Sequence, residues 1–246
     1  MYTPRSLLTL SLLLAGASAA HGQQAPAAVA ASPPRFSAAL ALQVAEPQRD
    51  LARNIDTGVG LEAGLITRLD RAGALALRFD AGFVTYDQET REVPLTSTIG
   101  GRILVDLTTR NNILTLGVGP QLMAPRGSVR PYVNANVGAA YYFTQSSVKG
   151  SHSGESFAST TNFDDWAFAY GAGAGVYVPV MRRVPVALDV GVRYHRNGTV
   201  QYLRAGSITD LAGGQIRIDP LESEGDLLSF RLGVTVGLGR PAAPRS

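Results

Sequence analysis

The chain has 246 residues, of which 45% are apolar and only 17% charged, with 27 Gly, 14 Pro and no Cys. Charge is low against the ~25% usual for a soluble domain, and the apolar content excludes a disordered chain. The missing Cys excludes a disulfide or thiolate-metal scaffold. A formal net charge of +3, with Lys149 as the single Lys and no basic block interleaved with aromatics, argues against nucleic acid as a partner.

Residues 1–22 read as a secretory leader. Arg5 supplies the charged start, residues 7–15 (LLTLSLLLA) an apolar stretch too short to span a bilayer, and small residues two cleavage points, after Ala19 or, preferred, after Gly22. Residues 23–34 (QQAPAAVAASPP) form a Pro/Ala linker that cannot build a core. The folded part is expected over 35–239, with 240–246 a short tail. No later stretch approaches the ~18 consecutive apolar residues of a membrane helix, so any membrane must be crossed by strands.

From Phe36 onward the pattern is alternation, the period of a strand. It runs weakly through 36–45, 57–68, 74–86 and 112–123. It strengthens at 131–144, where Val133, Val137, Tyr141 and Phe143 oppose Tyr132, Asn134, Asn136 and Tyr142. At 166–178, Trp166, Phe168, Tyr170 and Val176 oppose Ala167, Ala169, Gly171, Gly173 and Gly175. At 185–195 and 228–238 it is cleanest, with Val190 and Leu232 on the apolar side and Asp189, Arg193 and Arg231 on the other. No comparable segment has a period of 3.6, so the chain is all-β.

Strand length separates a membrane barrel from a soluble sandwich. Twelve residues at ~3.3 Å each and a ~40° tilt cover roughly 30 Å, the hydrocarbon thickness of a bilayer, whereas ordinary strands have about 5–6 residues. The faces agree. The non-apolar side is mostly Gly and Ala with a few Arg and acids, which suits a narrow barrel interior, while the Leu/Val side suits lipid.

Three short connections, 69–73, 124–130 and 179–184, alternate with four longer ones, 46–56, 87–111, 145–165 and 196–226. Periplasmic turns are short and external loops long, so this spacing predicts a single closed up-and-down antiparallel barrel of eight strands. A weaker segment at 98–107 then stands above the membrane in the second external loop. The alternative is ten strands, with 98–107 pairing near 199–219.

On this register Glu62, Arg78, Asp80, Asp189, Arg193 and Arg231 face inward with Gln121, Asn134, Asn136, Tyr132, Tyr142 and His195. Three acids balance three Arg, which an eight-stranded lumen requires because an unpaired buried charge costs several kcal/mol. The expectation is a self-satisfied polar plug; a thin solute path is the alternative. Phe83, Tyr141, Phe143, Trp166, Phe168 and Tyr194 fall at the long-loop ends and are read as an aromatic girdle at the headgroup level. No catalytic, cofactor or metal site is expected. His152 with Ser151 or Ser153 and Glu155 sits in a Gly/Ser-rich loop, His195 has no nearby Ser, and Asp164-Asp165 reads as a solvated rim. Pro120, inside a strand that has no free edge, predicts a bulge.

Three segments carry a resemblance to the small outer-membrane β-barrel superfamily, the OmpA, OmpX and OmpW type. They are 129–138 (VRPYVNANVG), 170–175 (YGAGAG) and 188–194 (LDVGVRY). The resemblance covers about 36–239. It implies outer-membrane insertion and roles in envelope integrity, adhesion or small-solute passage, and it transfers no catalytic residue. Members typically end on a terminal aromatic, whereas the last strand here stops at Gly239 before RPAAPRS. The expected partners are outer-membrane lipid, lipopolysaccharide and the barrel-assembly machinery, around a monomer with an unassigned external ligand. Two alternatives to a structural or surface role remain: a narrow barrel passing a small or apolar solute, and a secreted soluble barrel that binds a ligand inside.

Overall fold

A computed structural model describes residues 34–94, 104–150, 156–180, 185–211 and 215–238. The leader, nearly all of the linker, the tail and the His152 loop group lie outside the described residues. The chain forms β1 (Phe36–Pro47), β2 (Gly58–Arg68), β3 (Leu75–Pro94), β4 (Leu104–Met123), β5 (Arg130–Gly150), β6 (Ser156–Pro179) and β7 (Val186–Asn197). Four short strands follow, β8 (Thr199–Tyr202), β9 (Ile208–Asp210), β10 (Ile216–Ile218) and β11 (Leu221–Glu224), before β12 (Leu227–Leu238).

Eight of these strands close a barrel in the order β1-β12-β7-β6-β5-β4-β3-β2, every pair antiparallel. The seam joins first to last strand, from Phe36↔Leu238 to Pro47↔Leu227. The ten-strand alternative is therefore overturned. Residues 104–107 are the outer end of β4, pairing with β3 (Val93↔Val105) and β5 (Val105↔Gly150). Residues 98–103 lie outside the described residues, and 104–107 pair with no strand near 199–219.

Alternation decides which side faces where. Leu232 and Val190 are partners across β12 and β7, and both point outward with Val137 at 54%, 41% and 53% exposure. Arg231, Asp189 and Asn134, on the opposite parity, are buried. Apolar outside and charged inside is the inverse of a soluble barrel, so the secreted ligand-binding alternative is overturned by the faces themselves.

Glycines make the interior possible. Gly171, Gly173 and Gly175 of β6 lie opposite Asn136, Asn134 and Tyr132 of β5. A Cβ at Gly175 would come within 2.4 Å of the Tyr132 hydroxyl oxygen, and one at Gly173 within 2.9 Å of Asn134 Oδ1. The YGAGAG ladder is thus the space into which the large β5 side chains fold.

The structure changes two readings of the strands. Two of the expected loops, 87–111 and 145–165, are largely strand: β3 and β4 have 20 residues each, β5 has 21 and β6 has 24. Twenty residues at ~3.3 Å and ~40° tilt rise about 50 Å, so these walls stand roughly 20 Å beyond the hydrocarbon. Register shifts fall between Thr85 and Asp87 on β3 and, against β6, at Thr144/Gln145 and again higher on the wall at Val148/Lys149. Pro120, by contrast, makes no bulge. The β4–β5 ladder lapses between Val118↔Val137 and Gln121↔Asn134 and resumes in the same register, the missing proline N–H absorbed as a local gap.

Candidate functional site: a charged lumen beneath a folded lid

The lumen is organised around Glu62, on β2 and 3% exposed. Its Oε1 accepts Arg78 Nη2 at 3.0 Å and also Arg231 Nη1, and its Oε2 accepts Arg193 Nη1 at 3.1 Å. One carboxylate therefore gathers guanidiniums from β3, β7 and β12. Asp80 completes the ring, its Oδ1 taking Arg78 Nε at 2.6 Å and its Oδ2 taking Arg193 Nη2 at 2.9 Å. Asp189 accepts the Tyr132 hydroxyl at 2.7 Å and lies 3.9 Å from Arg78 and 3.8 Å from Arg231. Arginine suits this role because its planar fork serves two acceptors at once and stays charged.

Polar neighbours tie the network to the wall. Arg78 Nη1 donates to Gln121 Oε1 at 3.3 Å and to the Tyr177 hydroxyl at 3.1 Å. Tyr132, which also receives Arg231 Nη2, stacks on Tyr177 with ring centroids 4.5 Å apart. Asn134 and Asn136 face inward but join no bond of this network: both polar atoms of Asn134 and Oδ1 of Asn136 are buried without a partner. Asn136 and His195 border a cavity of about 10 Å³ beside Asp80, Thr115 and Arg193. His195 is buried among these groups, with no serine lining the same cavity. The sequence pattern did not single out Tyr177, or Gln43 of β1, which is buried and donates to the Leu61 carbonyl at 3.1 Å. Tyr177 was accessible to it, since the inward ladder Gly171, Gly173, Gly175 continues to that position.

A second closure sits above. Connection 48–57, with a 3₁₀ turn at Leu51–Arg53, and the long excursion 198–226 fold over the outer mouth. β8 pairs with β11 and β9 with β10. Leu51, Ile55, Val200, Tyr202 and Leu227 are buried in one cluster with Val84, Tyr86, Ile113 and Tyr142 of the barrel. Hydrogen bonds pin this lid: Tyr86 Oη to the Leu203 carbonyl at 2.8 Å, Tyr142 Oη to the Gly225 carbonyl at 2.9 Å, and Asn54 Nδ2 to Tyr202 Oη at 2.8 Å. Carboxylates latch its rim. Asp87 accepts the Ala205 amide at 2.7 Å, Asp165 the Gln201 amide at 2.8 Å, and Asp226 the Tyr194 hydroxyl at 2.8 Å. Arg49 bridges Glu224 at 3.0 Å and Asp226 at 3.5 Å. Its guanidinium is held above the ordinary range, first by the hydrogen bond to Glu224. Asp165 therefore latches the lid from a rim that stays open to solvent.

Beside the lid, the projecting walls leave a cleft of about 230 Å³. Thr109, Asn111, Thr144, Ser146, Thr160 and Asn162 line it on the wall side, and Leu203, Ile208 and Ile216 on the lid side. Lower on the outer surface, Tyr141 stacks on Trp166 at 4.4 Å and on Phe143 at 5.1 Å, and Phe143 meets Phe83 at 6.3 Å. Phe168 is 65% exposed beside Tyr170. Tyr194, the sixth of these aromatics, is half-buried with its hydroxyl committed to Asp226.

A closed barrel with an apolar belt, a charged interior and short turns at one end defines a class of protein that spans a membrane with strands. The family model for the outer membrane protein beta-barrel domain matches residues 9–202, and the chain belongs to that family. It is a bacterial outer-membrane protein. Similar solved structures include neisserial surface protein A, 16% identical over 82% of this chain and 97% of that one, with a TM-score of 0.46. OprG from Pseudomonas aeruginosa is 10% identical over 85% and 98%, with a TM-score of 0.45. Ail of Yersinia pestis is 12% identical over 82% and 96%, with a TM-score of 0.41. No curated protein sequence matches the chain.

Proposed function

We propose that this barrel is a non-conducting, non-catalytic envelope protein whose work is done on its external surface. The observation that carries the reading is the double closure of one tube, by Glu62 clamped between three arginines in the middle and by the Tyr202 cluster at the mouth. Solute passage would require both closures to move. The lumen set of Glu62, Arg78, Asp80, Gln121, Asp189, Arg193 and Arg231 acts as a plug that fixes the register of the strands bearing it. Phe83, Tyr141, Phe143, Trp166 and Phe168 anchor the outer headgroup level against lipid and lipopolysaccharide. The cleft between walls and lid is the surface offered to the outside. The barrel works as a monomer delivered by the assembly machinery.

Planar-bilayer recording on the purified full-length protein tests the closure. A flat baseline is expected. Discrete, reproducible steps from the wild-type chain overturn the plugged reading.

A further inference from the structure

The periplasmic mouth is electrostatically unlike the rest of the molecule. Arg35, Arg68, Arg71, Arg126 and Arg130 gather there among the described residues, with Asp70 on the first turn beside Arg68 and Arg71. Three of them sit on the strand start or turns and are exposed. Arg68 and Arg130 differ. Arg68 shares the inward parity of Ile66 and Glu62 on β2, and Arg130 that of Tyr132 on β5, paired with inward Tyr177. β2 and β5 are separated by β3 and β4 around the ring, so the two side chains come from nearly opposite walls.

Both guanidiniums are half-buried and neither has an ion-pair or hydrogen-bond partner among the described residues. Nη1 of Arg68 and Nε of Arg130 are buried with no acceptor. Ile66, the inward neighbour of Arg68 on β2, and Tyr177, the β6 partner of Arg130, are buried in one cluster, so the two side chains belong to the same mouth. Asp70 attracts Arg68 but makes no ion pair with it; its oxygens accept the Leu75 and Ala74 amides at 2.9 and 3.2 Å. Arg68 instead lies against the turn, 3.4 Å from where a Cβ on Gly73 would be. The lumen above is charge-balanced, three arginines on three acids. This mouth carries two guanidiniums that no carboxylate pairs with among the described residues.

We propose that Arg68 and Arg130 form a binding site for a tetrahedral oxyanion of the phosphate type at the periplasmic mouth. Buried donors left without acceptors are costly, and a like-charge pair adds to that cost, so an anion relieves both at once. The geometry selects the anion. A carboxylate presents one oxygen edge and serves one fork, whereas a tetrahedral oxyanion presents oxygen pairs to both walls. The inward parity of both positions, away from the lipid-facing side of the wall, favours a soluble phosphate or phosphomonoester over a lipid headgroup.

The test uses full-length protein in zwitterionic detergent, titrated with inorganic phosphate and followed by ³¹P line broadening and by the thermal midpoint. Saturable binding of one phosphate and a rising midpoint are expected. Arg68→Gln or Arg130→Gln weakens binding by about tenfold or more, the loss of charge-assisted hydrogen bonds, and the double variant abolishes it. In phosphate-free buffer the double variant melts above the wild type, since the repulsion is gone. Heat-modifiable migration verifies that each variant is folded, and Arg126→Gln, on the exposed turn, leaves binding unchanged. Phosphatidylcholine nanodiscs with and without phosphatidylglycerol separate the sources. Competition by the acidic lipid assigns the site to a headgroup phosphate, and its absence to a soluble one. No phosphate-dependent change in the wild type, or an equal loss from Arg126→Gln, overturns the site.

Discussion

The middle of the tube and its outer mouth are closed by opposite chemistries. In the middle, side chains that belong to the wall strands meet as ions: Glu62, Asp80 and Asp189 against Arg78, Arg193 and Arg231. At the mouth, two connections bring their own Leu51, Val200, Tyr202 and Leu203 down onto Tyr86, Ile113 and Tyr142, and Arg49 adds ion pairs to exposed Glu224 and buried Asp226. The difference lies in what each closure needs. An ionic plug in a dry interior fails when one member is lost, because the partners are left charged and buried. An apolar lid fails locally and leaves the cylinder beneath it intact.

The comparison breaks most sharply at Glu62. Glu62→Ala leaves three buried guanidiniums sharing two acids and should cost on the order of 3–5 kcal/mol, measured by urea unfolding in detergent. A loss no larger than that of an exposed loop substitution shows that the network does not hold the barrel. Next comes the outer belt. Val190→Arg puts a charge into lipid near the midplane and should cost on the order of 2–4 kcal/mol on the same scale. Gly191, the next residue, is constrained by space instead, since a Cβ there lies 2.6 Å from the Tyr132 hydroxyl oxygen.

Tyr202→Ala should leave the unfolding midpoint nearly unchanged while raising the rate of protease cleavage within 198–226 by about tenfold, the mark of local opening. Equal loss of global stability would make lid and plug a single cooperative unit. The smallest effect belongs to Asp70, whose carboxyl is held below its ordinary value near 3.8, first by the Leu75 amide. A lowered carboxyl contributes order to the 69–74 turn above that ordinary value and loses it as pH falls through the depressed one. Amide exchange at Leu75 should therefore quicken only in strong acid, and Asp70→Asn should remove that dependence.

The barrel was legible where lipid imposes a strict two-residue rhythm. The belt demands apolar residues on one parity, so Leu232, Val190 and Val137 betray the outward face and Arg231, Asp189 and Asn134 fall inward with no further information. Beyond the membrane that rhythm lapses. Residues 145–150 and 156–165 are rich in Ser, Thr and Asn on both parities, because water bathes both sides of the projecting walls, and they read as loop although they are strand. The lid was illegible for a related reason. Its apolar anchors are scattered over two connections, Leu51 and Ile55 in one and Val200, Tyr202 and Leu203 in the other, and no local period links them. The Arg68–Arg130 mouth needed the turn geometry, in which backbone amides hold Asp70 and no ion pair joins it to Arg68.

The position of Arg231 on the final strand has a consequence for how the molecule is completed. Glu62 sits near the chain's beginning and meets Arg78 as soon as β3 pairs with β2, and Arg193 once β7 arrives. Its third guanidinium arrives only when β12 docks against β1. Zipping the seam and neutralising the interior are therefore a single event, so an unclosed sheet is marked by an incompletely compensated core, and the last strand carries the residue that ends that state.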